Sequence, residues 1–134
     1  MILFADDNGQ LQKLVAELLR RYGYNLIVTG GGKDALQKAR KFTGIIHLLL
    51  SDVDMSGMTG IDLAIQLNRE RPDTKVLLIA GRPTILHLTN GWQFLKKPFM
   101  ADMLRDRIRD VLSDQPPTRV VAGRLTGSKS SPRV

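Results

Sequence analysis

The chain has 134 residues, with 20 Lys or Arg against 13 Asp or Glu for a formal net charge of +7; 43% are hydrophobic and none is cysteine. That length and apolar fraction fit one packed domain and exclude wholesale disorder, and the missing cysteines exclude disulfide frameworks, thiol nucleophiles and thiolate-held zinc. No stretch approaches the roughly 20 apolar residues of a membrane span, and the opening Met1–Asp7 lacks the basic region of a secretory signal, so the expectation is a soluble, cytoplasmic protein.

Ile2–Ala5 reads as a short strand that stops at the acidic pair Asp6-Asp7, before the turn signal Asn8-Gly9. Leu11, Leu14, Val15, Leu18, Leu19 and Tyr22 recur at helical spacing, and Gly23 suits the helix end. Leu26–Thr29 is a second strand, Gly30-Gly31-Gly32 a loop, and from Asp34 a helix resumes through Ala35, Leu36 and Ala39. Ile45–Leu50 reads as a third strand, apolar on both faces as a central parallel strand is, and it runs into Asp52. Ser56, Gly57 and Gly60 mark a loop before a helix with Ile61, Ala64, Ile65 and Asn68, which Arg71-Pro72-Asp73 stops. Val76–Ala80 is the fourth strand and Phe94-Leu95 lies in the fifth. Pro98 opens a last helix that carries Leu104, Ile108, Val111 and Leu112. Residues 1–114 form the expected domain. Residues 115–134 are a tail or linker with Pro, Gly and Ser, four cations (Arg119, Arg124, Lys129, Arg133) and no acid after Asp114. The cations are sparse and no aromatic lies among them, so the tail reads as solvated chain ahead of the alternative, a nucleic-acid or membrane arm; no direct nucleic-acid binding is expected from the domain itself.

Strands and helices in alternation indicate α/β architecture: an open parallel sheet with helices on both faces. Such sheets bind ligands at the carboxyl ends of their strands. Asp6-Asp7, Asp52, Ala80 and Lys97 all fall at such ends and would converge on one rim. Carboxylates gathered there repel unless they share a hard cation, and Mg²⁺ takes oxygen ligands of this kind. A neighbouring lysine suits a phosphoryl oxygen. Together these groups describe phosphoryl transfer, in which a carboxylate can itself be the nucleophile and form an aspartyl phosphate.

At these residues the sequence resembles the receiver domain of two-component response regulators. The resemblance rests on Asp6-Asp7, on Asp52 after Leu48-Leu49-Leu50-Ser51, on the loop Asp52–Gly60, and on Lys97-Pro98-Phe99. The family loop reads roughly D-x-x-M-P-x-M-x-G, and Ser56 stands where it has Pro. The resemblance implies a three-layer, flavodoxin-like fold whose five-stranded parallel sheet has the order 2-1-3-4-5. It implies Asp52 as phosphoacceptor and Lys97 as the phosphoryl-binding lysine. It implies Mg²⁺ held by Asp6, Asp7, Asp52 and the backbone carbonyl of Asp54. Phe94 takes the aromatic switch position, and Asp54 and Arg82 the positions that tune phosphoryl lifetime. The implied donor is a sensor histidine kinase or phosphotransfer protein. The face of strand 4, strand 5 and the last helix would make a partner contact or a homodimer. The protein is then a signalling domain rather than an enzyme, beyond its own phosphotransfer and dephosphorylation.

Two departures stand out. Ala80 occupies the switch position where the family has Ser or Thr, so the hydroxyl donor is missing. The stretch between Ala80 and Lys97 is short, so the helix there is expected to be short, irregular or absent. These departures motivate an alternative function, a degenerate receiver that binds partners without a phosphoryl switch. Thr84 is a weak substitute for the lost hydroxyl. His47 is expected to be packed or hydrogen-bonded within a strand, His87 to face solvent, and Trp92 to anchor its segment on the core. Met55 and Met58 read as loop packing. Gly30-Gly31-Gly32-Lys33 fails the phosphate-loop pattern, because Ile27 stands at its first glycine and Asp34 at its Ser/Thr. Asp52-Val53-Asp54 also resembles the nucleophile motif of haloacid-dehalogenase-like phosphatases, but it follows the third strand instead of the first.

Overall fold

A computed structural model describes residues 1–81 and 91–113. In chain order they form β1 (Ile2–Ala5), α1 (Gly9–Arg21), β2 (Leu26–Thr29), α2 (Gly32–Lys41), β3 (Leu48–Asp52), α3 (Gly60–Glu70), β4 (Lys75–Ala80), β5 (Gln93–Lys96) and α4 (Ala101–Leu112). The five strands pair in parallel in the order β2-β1-β3-β4-β5. The strand order reverses between β1 and β3, and that switch point opens the crevice where such sheets bind ligands. The expected irregular helix after Ala80, with Arg82, Thr84 and His87, and the basic tail lie outside the described residues.

Alternation along the strands sorts the core into two layers. Ile2, Phe4, Leu48, Leu50, Leu77, Ile79 and Leu95 pack with Val15 and Leu19 of α1 and with Leu104, Ile108 and Val111 of α4. Leu3, Ala5, Leu49, Val76 and Leu78 face the other way, onto Ala35, Leu36 and Ala39 of α2 and Leu63, Ala64 and Leu67 of α3. A strand buried on both faces reads as an unbroken apolar run, and Leu48–Leu50 of β3 do so; the buried strand then ends in Ser51 and Asp52.

Several boundaries differ from the sequence reading. β3 begins at Leu48, because its rung partners are Ile2 of β1 and Lys75 of β4; Ile45 is left 70% exposed. His47 is exposed just before the strand, and its Nδ1 lies 2.9 Å from the Met1 amine. α2 starts at Gly32, where a Cβ would lie 2.6 Å from Met58 Sδ, so packing overrides glycine's weak helix propensity. Asn8, read as part of a turn, caps α1 through its side chain, which accepts from the Leu11 amide. Pro98 precedes α4 instead of opening it, after a cis Lys97-Pro98 bond. Leu14 is 63% exposed and Ile65 is exposed as well, so the apolar faces of α1 and α3 are narrower than their spacing indicates.

The amino end of the sheet is fastened by polar side chains. Arg71 donates to the carbonyls of Ala39, Phe42 and Gly44, at 2.9, 2.6 and 2.9 Å, and so satisfies the end of α2 from the α3–β4 connection. Trp92, buried in the core as expected, donates from Nε1 to Asn68 Oδ1 at 3.1 Å, and Asn68 donates to the Thr74 carbonyl at 3.0 Å. Arg71→Ala should cost about 2 kcal/mol, the scale of losing charged donors to otherwise unpaired carbonyls. Arg71→Lys should recover less than half, because an ammonium lacks the planar fork. A urea midpoint for Arg71→Ala equal to wild type would show that the fork contributes nothing.

Candidate functional site

The core pattern of the strands continues into the site. Asp6 stands two residues beyond Phe4, Asp52 two beyond Leu50, and Lys97 two beyond Leu95. Those three apolar residues belong to the layer under α1 and α4. Alternation therefore sends all three polar side chains to one side of the sheet, at the carboxyl ends of β1, β3 and β5. One ligand atom from each of Asp6, Asp7 and Asp52 lies within 4.8 Å of the others. Asp6 and Asp52 are buried, at 1% and 4% exposure, and Asp7 is exposed. Lys97 Nζ lies 3.0 Å from Asp52 Oδ2.

Each carboxylate also accepts a backbone amide. Asn8 N–H donates to Asp6 Oδ1 at 2.9 Å, Asp54 N–H to Asp52 Oδ1 at 3.3 Å, and Ser56 N–H to Asp7 Oδ2 at 2.8 Å. Gly60 brings α3 against this corner. A Cβ there would lie 2.2 Å from the Asp52 carbonyl oxygen, so no larger residue fits without backbone movement. The burial of Asp6 pushes its carboxyl pKa up from the ordinary 3.8; the Asn8 amide opposes this, and the charges of Asp52 and Asp7 add to it. Three clustered carboxylates form an all-oxygen, negatively charged donor set. That set fits a hard divalent cation such as Mg²⁺.

The structure brings together Asp6, Asp7, Asp52 and Lys97. Asp54 meets Asp52 through its amide, and its side chain is exposed. Ala80 ends β4 between Asp52 and Lys97, 4% exposed, paired with Lys96 of β5, and its carbonyl accepts the Lys97 amide at 2.9 Å. Phe94 is half-buried against the opposite core layer, on the side of α2 and α3, and its carbonyl accepts from Arg107 of α4. Sequence reading missed the amide of Ser56; its signal was the serine standing where the loop pattern has proline. It also missed a groove of about 550 Å³ between α1 and the β5–α4 connection, where Leu14, Leu18, Pro98 and Phe99 meet Lys97.

Residues 2–109 match the family model of the response regulator receiver domain. The chain is 35% identical over 116 residues to the transcriptional regulatory protein CpxR of Escherichia coli, covering 83% of this chain and 48% of that protein. It thus spans about half the length of that curated relative. Among solved structures, the receiver domain of the hybrid histidine kinase CckA is 32% identical, with a TM-score of 0.73 over 83% of this chain and 97% of that one. The response regulator TrrA of Thermotoga maritima, solved in complex with Mg²⁺-BeF, is 25% identical, with a TM-score of 0.71 over 82% of this chain and 96% of that one.

The raised Asp6 pKa has a definite sign for stability. The native state holds the Asp6 proton more tightly than the unfolded chain, so this group's contribution falls as pH rises above 3.8 through the raised value. At neutral pH the buried charge is a cost. Asp6→Asn keeps the oxygen that accepts the Asn8 amide and removes the charge. Without added metal it should melt higher than wild type at pH 7, and the gap should close as the pH falls through the raised value. Equal melting midpoints at pH 7, or a gap that widens in acid, would contradict this.

Proposed function

This chain belongs to the response regulator receiver domain family, and we propose that it accepts a phosphoryl group on Asp52 from a sensor histidine kinase or phosphotransfer protein. The observation that carries the reading is the 3.0 Å contact between Lys97 Nζ and Asp52 Oδ2 inside the carboxylate cluster. An Asp52 oxygen attacks the phosphorus of the donor phosphohistidine. The new O–P bond forms as the P–N bond breaks, and the electron pair leaves with the imidazole, which takes up a proton. Lys97 moves its hydrogen bond from the carboxylate to a phosphoryl oxygen. Asp6, Asp7, Asp52 and the Asp54 carbonyl would hold Mg²⁺, which neutralises phosphoryl charge when bound. Phe94, at the aromatic switch position, and the face of β4, β5 and α4 carry the response to a partner or a second copy. Met100 and Met103 add exposed apolar surface at α4. The reading assigns the protein to the cytoplasm; no helix among the described residues is long and apolar enough to cross a membrane.

A protein donor has to bring its histidine to the rim beside Lys97. The groove between α1 and the β5–α4 connection opens there, with Leu14 63% exposed on its wall. An apolar helix face on the donor fits it. Ala80 supports a second reading, in which the chain binds its partner without a phosphoryl switch. A methyl group at the end of β4 offers a phosphoryl oxygen no donor, and a hydrogen bond to a charged group is worth about 1.5–3 kcal/mol.

Incubation with Mg²⁺ and acetyl phosphate should add one phosphoryl mass to the intact protein and none to Asp52→Asn. No gain, or the same gain in the variant, would sink the acceptor assignment. Leu14→Asp should slow transfer from a phosphorylated histidine donor tenfold or more and leave uptake from acetyl phosphate unchanged; equal slowing of both would remove the groove from donor docking. Beryllofluoride separates the two readings of the switch. A phosphorylation-independent module shows less than a tenfold change in partner affinity, ~1.4 kcal/mol, and gains that change in Ala80→Thr. A wild-type protein that already responds tenfold overturns the second reading.

A further inference from the structure

Asp7 differs from the other two carboxylates in how it is held. Asp6 and Asp52 are buried at strand ends, and each accepts an amide from two residues onward. Asp7 is exposed on the loop after β1, and its amide donor, Ser56, lies 49 residues further along the chain, in the loop after β3. A free, exposed carboxylate samples several rotamers and keeps its charge away from like-charged neighbours. A bond of 2.8 Å to Oδ2 opposes both tendencies. It also offsets part of the negative charge where one oxygen of Asp7 lies within 4.8 Å of Asp6 and Asp52 oxygens. A carboxylate has about four lone-pair sites, so one amide leaves acceptor capacity for a cation. The donor exists because residue 56 is not proline, which has no N–H.

We propose that the backbone amide of Ser56 is a positioning donor that holds the Asp7 carboxylate at the edge of the cluster facing a bound divalent cation, and that this tie joins the two loops before any metal arrives. The inference rests on the metal reading above and adds a residue to it. The serine hydroxyl has no part in it; any residue with an N–H at this position serves.

The test compares Ser56→Ala, which keeps the amide, with Ser56→Pro, which removes it. Calorimetric titration with MgCl₂ should give wild-type affinity for the alanine variant and at least threefold weaker binding for the proline variant. Equal affinities in the two variants, or equal weakening of both, would overturn the inference while wild-type saturation leaves the metal site standing. A wild-type protein that shows no saturation overturns the metal reading itself and the role assigned to Ser56 with it. A second measurement needs neither metal nor the proline variant. Hydrogen exchange of the Ser56 amide in metal-free protein should quicken at least tenfold in Asp7→Ala, and unchanged protection would also overturn the proposal.

Discussion

The ion pair of Lys97 with Asp52 is the interaction on which the rest of the site depends. β4 lies between the strands that carry the two groups. Neighbouring strands stand ~4.8 Å apart, so the pair bridges roughly 10 Å of sheet. Only a long, flexible side chain covers that distance and still places a point charge on a carboxylate. Without the ammonium, the carboxyl ends of β1 and β3 would hold like charges that, among the described residues, backbone amides alone answer. The cation sets where the acidic cluster can exist, and the loops then fit around it. Gly60 allows α3 to start against the Asp52 carbonyl, and Asn8 turns the chain after Asp6 into α1.

The two ends of the sheet divide the work between them. The carboxyl end concentrates unfavourable charge, with a buried Asp6 whose pKa is raised by its surroundings. The amino end collects contacts that hold elements together: the Arg71 fork on the end of α2, the Thr74 hydroxyl on the Ile46 carbonyl at 2.8 Å, and the Trp92–Asn68 contact. Domains fold with a margin of only about 5–15 kcal/mol, so a site that opposes folding needs such support elsewhere.

Much of this was legible in the sequence, for physical reasons. β1 and β2 match their apolar runs because a four-residue strand flanked by turn signals has little room to shift. The candidate site was legible because parallel topology carries the carboxyl end of every strand to one rim, and Asp6, Asp7, Asp52 and Lys97 stand at those ends. β3 was placed too early because Ile45 and Ile46 are as apolar as the strand itself, and only the rungs to Ile2 and Lys75 show where pairing begins. α2 was started too late because three glycines read as loop, whereas the close approach of Met58 makes Gly32 part of the helix. The Ser56 donor and the Arg71 fork were missed because each joins residues distant in sequence through backbone groups, a backbone amide that donates to the Asp7 carboxylate in one case and backbone carbonyls that accept from the guanidinium in the other. A one-letter pattern does not print either kind of partner.

Trp92 is the one tryptophan in the chain, buried with its indole N–H bonded to Asn68. It stands before β5, and Lys97 stands after that strand. At ~3.3 Å per residue the two are about 16 Å apart along the strand. The molecule therefore carries its own optical reporter, set away from the acidic rim. Direct quenching by a group bound at Asp52 falls off over such a distance. A change in emission when the rim is loaded would instead record movement that has travelled the length of β5 to the Asn68 contact.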